Sequence, residues 1–197
     1  AKPDAIIKVR NTCEYLSIKS GRNPSVHQEN FFTFQKFMSK FDIPKWVLRT
    51  IYFFHFGKTQ KLSNDGEPFT KDELEGKYAN YFLKASKTLD RVEIIKEMVK
   101  RTIIKGANPT RTGITYLYYG NVDKGFLLSK EDIYQLVLNY REHKTSIHFG
   151  GLNYQPGGRK RTTQDYRYVR IKWPILSPMF YLTDEEIREV VDGTKKL

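Results

Sequence analysis

The chain has a single cysteine, Cys13, which excludes an internal disulfide and fits a reducing compartment. Cys13 falls among apolar positions of an expected helix, so it reads as a buried, inert thiol. Histidine is also sparse, with four. His27, His55, His143 and His148 are scattered without ligand spacing, so a hydrogen-bonded structural histidine is expected at each and no metal site. There is no GxxxxGK[ST] and no GxGxxG after a strand, so no cofactor is expected. Long apolar runs are also missing. The longest, from Trp46 to Phe56, is interrupted by Arg49 and His55 and is too short to span a bilayer. The opening AKPDAIIKVR lacks the pattern of a signal peptide. The expectation is an intracellular protein, cytoplasmic or carried within a particle, without a membrane partner.

Catalytic patterns are equally thin. Asp65, Glu75 and Lys77 form one formal match to an acidic residue followed by Glu-x-Lys, a metal-dependent nuclease pattern. Glu75 and Lys77 stand two apart in an expected helix and point in different directions, whereas such centres usually sit on strands. A nuclease would therefore draw its carboxylates from distant segments. Tyr116, Tyr118 and Tyr119 read as strand core, not as nucleophiles. No catalytic residue is assigned, and the reading leans away from an enzyme.

What the chain has in quantity is positive charge and aromatic rings. Lys and Arg number 34 against 22 Asp and Glu, a net charge of +12. The sequence pI is about 9.6. Such a protein attracts polyanions and pays in self-repulsion. Hydrophobic residues make up 39% and aromatics 14%, with 13 Tyr and 13 Phe, which is too much for a disordered chain. In 197 residues a sizeable core is possible.

Spacing of three and four at Ile6, Val9, Cys13 and Leu16 predicts a helix over 4–20, stopped at Gly21. Phe31, Phe34, Phe37, Met38 and Phe41 predict a second from His27 to about Lys40. A third begins at Asp42-Ile43-Pro44 and ends at Gly57, with Trp46, Val47, Ile51, Phe53 and Phe54 making it apolar nearly all round. Thr70-Lys71-Asp72-Glu73 is a capping box before a further helix. A break near Ser86-Lys87-Thr88 precedes another, closed by Gly106-Ala107-Asn108-Pro109. After that segment the pattern changes. Residues 114–119 form a strand candidate, Ser129-Lys130-Glu131-Asp132 starts a helix, and Thr183-Asp184-Glu185-Glu186 caps a last short one stopped by Gly193.

The expected fold is α+β: a predominantly helical region over 1–107, then an α+β region over 108–197 with a small antiparallel sheet, a basic β-hairpin and a short C-terminal helix. The two regions are alternatively one continuous domain. Helix, then basic hairpin, is also the element order of a winged-helix module, in order only.

The most informative stretch runs from Ser146 to Pro174. Residues 143–174 carry seven Lys and Arg against one acidic residue, Asp165. From Tyr166 to Trp173 the residues alternate, with Tyr166, Tyr168, Arg170 and Lys172 on one face. Arg167, Val169, Ile171 and Trp173 share the other, and Arg167 there suggests an edge strand. Gly150-Gly151 signals a bulge or a close backbone approach. The connection Gly157-Gly158-Arg159-Lys160-Arg161-Thr162-Thr163 offers cations and hydroxyls of the kind that contact phosphates and release counterions. Tyr166 and Tyr168 are placed to stack on bases. On the preceding helix, Lys130, Gln135, Asn139 and Arg141 are candidates for base edges or phosphates. Lys36, Lys40, Lys45 and Arg49 recur at helical spacing, with Lys58 and Lys61 beyond, as a second basic surface.

The expected function is nucleic-acid binding, DNA ahead of RNA, in a regulatory, replicative or packaging role. The alternative is a structural subunit of a virion or ribonucleoprotein assembly. There the hairpin and Tyr-rich faces would meet further copies or other proteins.

Overall fold

A computed structural model describes residues 3–22, 24–57, 69–108, 110, 112–140, 146–156 and 167–197. The chain is α+β, with helices around two four-stranded sheets. The first sheet has the order β1 (Ala5–Val9), β2 (Thr12–Lys19), β4 (Tyr116–Gly120), β5 (Gly125–Ser129). Its central β2–β4 pair is parallel and the flanking pairs are antiparallel. The second is antiparallel throughout, in the order β3 (Ser25–Asn30), β8 (Tyr168–Lys172), β7 (Leu152–Pro156), β6 (His148–Phe149). Both sheets take strands from either side of residue 107.

The helix expected over 4–20 is a β-hairpin. β1 and β2 pair from Ala5–Leu16 to Val9–Thr12 around a two-residue turn in which Arg10 holds a φ of +53°. Apolar residues on both faces of the two strands produced the three-and-four spacing. Ile7 and Ile18 remain 47% and 46% exposed on the outer face, and Cys13 is exposed rather than buried. The helix expected from His27 is shortened by β3. The turn from strand to helix falls at Asn30, whose side chain accepts from the Phe32 amide at 2.9 Å, and α1 covers only Phe31–Met38.

The remaining helices start at their signals, but the one expected after Thr70 is split in two at Gly76–Tyr78 and the break expected near Ser86 is absent. α2 spans Lys45–Phe56. The Thr70 capping box starts α3 (Lys71–Glu75), a short helix, and α4 (Ala79–Leu89) runs through the expected break to Asp90. α5 (Val92–Val99) passes into a π-helical segment, Lys100–Ile104. The boxes at Ser129 and Thr183 start α6 (Lys130–Asn139) and α8 (Asp184–Asp192), and α7 is the short Leu176–Met179. Phe31, Phe34, Phe56, Phe82 and Phe149 are fully buried with Trp173 and Tyr154 in one continuous core, as the phenylalanine stripe implied.

Gly150 and Gly151 form the tight turn between β6 and β7, pressed against the C-terminal end of α6. The Gly151 amide donates to the Val137 carbonyl at 2.9 Å, and the Gly150 amide to Asp90 Oδ1 at 2.7 Å. A methyl on Gly150, where φ is +56°, would lie 2.3 Å from the Val137 carbonyl oxygen. Gly150→Ala therefore combines left-handed strain with a clash against fixed backbone. It should cost about 3 kcal/mol and lower the melting midpoint by roughly 6–12 °C. Thermal unfolding monitored by circular dichroism checks this, and an unchanged midpoint would show that α6 is not held by this turn.

Candidate nucleic-acid interface

β8 is an interior strand of its sheet, paired with β3 on one side and β7 on the other, so the expected edge position is corrected. Its alternation is the expected one. Val169, Ile171 and Trp173 are buried, while Tyr168 is exposed and Arg170 and Lys172 are half-buried on the opposite face. Arg167 precedes the strand and is exposed, so the cation on the inward phase never enters the core.

Register brings further residues onto the outward face. Arg170 stands between Gln28 of β3 and Gln155 of β7. Lys172 stands between Ser25 and Asn153, and Tyr168 beside Asn30. Arg170 Nε donates to Gln28 Oε1 at 3.2 Å. Among the described residues of β3, β8 and β7, no carboxylate points outward. Burial pushes the Lys172 ammonium below the ordinary lysine value and repulsion from Arg170 adds to it, so a polyanion would relieve a local crowding of positive charge. The β6 end of this face is closed, because His148 opposite Asn153 is buried, its ring 3.7 Å from Asp90. Its backbone amide also donates to Ser86 Oγ at 3.1 Å.

The carboxylate of β3 points the other way. Glu29 is buried and accepts from Arg101 Nε at 2.9 Å and Nη2 at 2.5 Å, while His27 Nε2 lies 3.1 Å from it. Arg101 sits on the π-helical segment, its guanidinium 4.5 Å from the Phe37 ring centre. Nearby, Tyr154 on β7 shares a 2.5 Å hydrogen bond with His55 Nδ1, and the His55 ring stacks on Phe31. These contacts fix the inner sides of β3 and β7 and hence the aim of the outward side chains.

The other expected contacts separate. Arg159, Lys160, Arg161, Thr162, Tyr166 and Arg141 lie outside the described residues, as do Asp65, His143, Lys58 and Lys61. Lys130 and Gln135 are exposed on α6, but Gln135 Nε2 donates to Glu131 at 2.8 Å, so that stripe carries its own acid. Asn139 Nδ2 donates to the Val191 carbonyl of α8 at 3.1 Å, a structural contact. The winged-helix alternative is not confirmed: β7 and β8 are interior strands of a four-stranded sheet rather than a two-stranded wing. Lys36, Lys40, Lys45 and Arg49 are exposed.

Nothing in the local residue pattern singles out Gln28, Asn30, Asn153 or Gln155. Reading SVHQEN as a strand would have found the first two, but its inward positions, His27 and Glu29, are polar and disguise the alternation.

Glu75 ends α3 and Lys77 follows it in the turn, with its Nζ 5.1 Å from the Tyr78 ring centre. Among the described residues there is no group of three or more His, Cys, Asp and Glu side chains placed to hold a metal ion. Nor is any described helix long and apolar enough to cross a membrane. A cleft of about 200 Å³, lined by residues including Arg22, Tyr119, Ser177 and Tyr181, opens a few residues along the chain from the Ser25–Lys172 pair. Compared with known proteins, the chain matches no family model and no curated protein.

Burial pushes the Glu29 carboxyl up, but the hydrogen bonds from His27 and Arg101 outweigh it and hold it below its ordinary value of 4.5. A lowered folded-state value means that this contact stabilises the protein above pH 4.5 and is lost as pH falls through the folded value. Glu29→Gln should lower stability at pH 7 by about 3 kcal/mol by leaving Arg101 without its charge partner. The gap from the parent should narrow as pH drops below 4.5. Urea unfolding across pH 7 to about 3 tests the sign, and a constant gap would contradict it.

Proposed function

We propose that the protein binds nucleic acid, DNA in preference to RNA, through the outward face of β3, β8 and β7 together with the basic connection Arg159-Lys160-Arg161. Its role is binding rather than catalysis, in regulation, replication or packaging. The observation that carries this reading is an outward face of amides and cations whose described residues include no carboxylate, on a strand that follows the most basic segment of the sequence. Amides and cations are the groups that contact phosphate oxygens and base edges. The chain's net charge of +12 supplies the long-range attraction.

Arg170, Lys172 and the three cations of the connection would neutralise about five phosphates. The salt slope would then be about −4.5, and affinity should fall several-hundred-fold between 50 and 200 mM salt. Filter binding with single- and double-stranded substrates measures this directly. Reversing Arg159, Lys160 and Arg161 to Glu should reduce binding at least a hundred-fold, by an order-of-magnitude estimate, and flatten the slope by about 3. Unchanged binding in that triple variant would remove the connection from the interface.

A second reading, a subunit of a larger assembly, is favoured by the outer face of the first sheet. There Ile7, Ile18 and Leu127 are each close to half exposed, flanked by Leu16, Tyr116 and Tyr118. Glu14, opposite Ile7, is the charged residue on this largely apolar face, and exposed apolar surface of this kind marks a protein contact. Under this reading the chain forms concentration-dependent oligomers in sedimentation experiments, and Ile18→Glu dissociates them. A chain that stays monomeric at high concentration and without partners removes it.

A further inference from the structure

We propose that the outward face of β3, β8 and β7 reads base edges in the major groove of duplex DNA, with Arg170 directed at guanine and Gln28 and Gln155 at its neighbours. This inference rests on the nucleic-acid-binding reading and goes beyond it, because phosphate contact alone confers no sequence preference.

The side chains on the face are those that base edges demand. Arginine pairs through two nitrogens with guanine O6 and N7, and glutamine or asparagine with adenine N6 and N7. Arg170, Gln28 and Gln155 stand in one rank across three strands; Asn30, in the next rank beside Tyr168, already accepts from the Phe32 amide through its side-chain oxygen and is not counted among the readers. The Gln28 contact uses only Nε of the guanidinium, and among the described residues the two terminal nitrogens of Arg170 make no hydrogen bond. Gln28 thus orients a fork whose outer prongs are open.

Strands lie about 4.8 Å apart, so three of them with their own width occupy about 15 Å, against a major groove about 12 Å wide that admits two strands; β8 would therefore enter the groove with one neighbour deeper than the other. Outward residues on one strand recur every ~6.7 Å, close to two base-pair steps of about 3.4 Å. Successive ranks therefore meet alternate base pairs.

The platform is rigid where reading requires it. β8 is paired on both sides, and Val169, Ile171 and Trp173 are fully buried beneath Arg170 and Lys172. An A-form RNA duplex does not offer the same target, since its major groove is too deep and narrow for side chains to read. A single strand would be held by stacked aromatic side chains, and Tyr168 is the one aromatic residue on the described face.

The test is selection of bound duplexes from a randomised DNA library by the full chain, followed by affinities of the parent and variants for the recovered and scrambled sequences. The expected result is a short shared motif containing guanine. Arg170→Lys, which keeps the charge but loses the fork, should weaken binding to that motif by roughly 5- to 150-fold while leaving scrambled duplex nearly unaffected. Gln28→Ala should relax preference at an adjacent position and, by releasing the Arg170 fork, also weaken the preference for guanine. Duplex binding without any motif, or an Arg170→Lys loss equal on all sequences, would overturn base reading and leave general nucleic-acid binding standing. Tighter binding of single strands or of RNA would also overturn it. Absence of binding to any nucleic acid would overturn both readings.

Discussion

The buried ion pair between Glu29 and Arg101 is the contact on which the outward face depends. Removing a carboxylate and a guanidinium from water is expensive, and the expense is offset only by good geometry and further hydrogen bonds. Here Arg101 binds both carboxylate oxygens, His27 adds a third contact, and the Phe37 ring covers the guanidinium. The pair joins β3 to a π-helical segment more than seventy residues away in the chain and holds β3 in register beside β8. It also turns the carboxylate of β3 inward. With Glu29 turned outward instead, the basic face would carry an acid next to Arg170, and the polyanion reading would lose its support.

The sheet works because its two sides divide the labour by residue type. The inner side is apolar apart from two satisfied pairs, Glu29 with Arg101 and Tyr154 with His55, and the buried Trp173 indole nitrogen, which has no hydrogen-bond partner among the described residues. Tyr154 is fully buried, and burial raises its hydroxyl well above the ordinary tyrosine value, so it stays neutral and serves as a hydrogen-bonding core residue. The outer side places a positive rank between amide neighbours. Electrostatic attraction brings a polyanion to this surface from a distance, whereas any discrimination between bases has to come from hydrogen-bond geometry at short range.

The features legible in sequence were those encoded within a few residues. All three capping boxes and the alternation of Tyr168 to Trp173 are local patterns, and each appears in the structure. The Gly150-Gly151 pair correctly implied close backbone approach. What failed depends on distant partners. Residues 5–19 mix apolar side chains on both strand faces, and only pairing with β4 identifies them as sheet. β3 carries polar residues inward because Arg101 receives them, so its strand character was invisible without the fold. The amides that complete the candidate interface were missed for the same reason. Cross-strand register placed Gln28 and Gln155 beside Arg170, and no spacing rule connects residues 28, 155 and 170.

The most direct measurement is a titration of isotopically labelled protein with duplex DNA, followed by amide and side-chain NMR. The account predicts shifts concentrated in residues 25–30, 153–156 and 167–172, including the side-chain amides of Gln28 and Gln155 and the Nε of Arg170. Shifts confined to the outer face of the first sheet, around Ile7, Ile18 and Leu127, or no shifts at all, would contradict it.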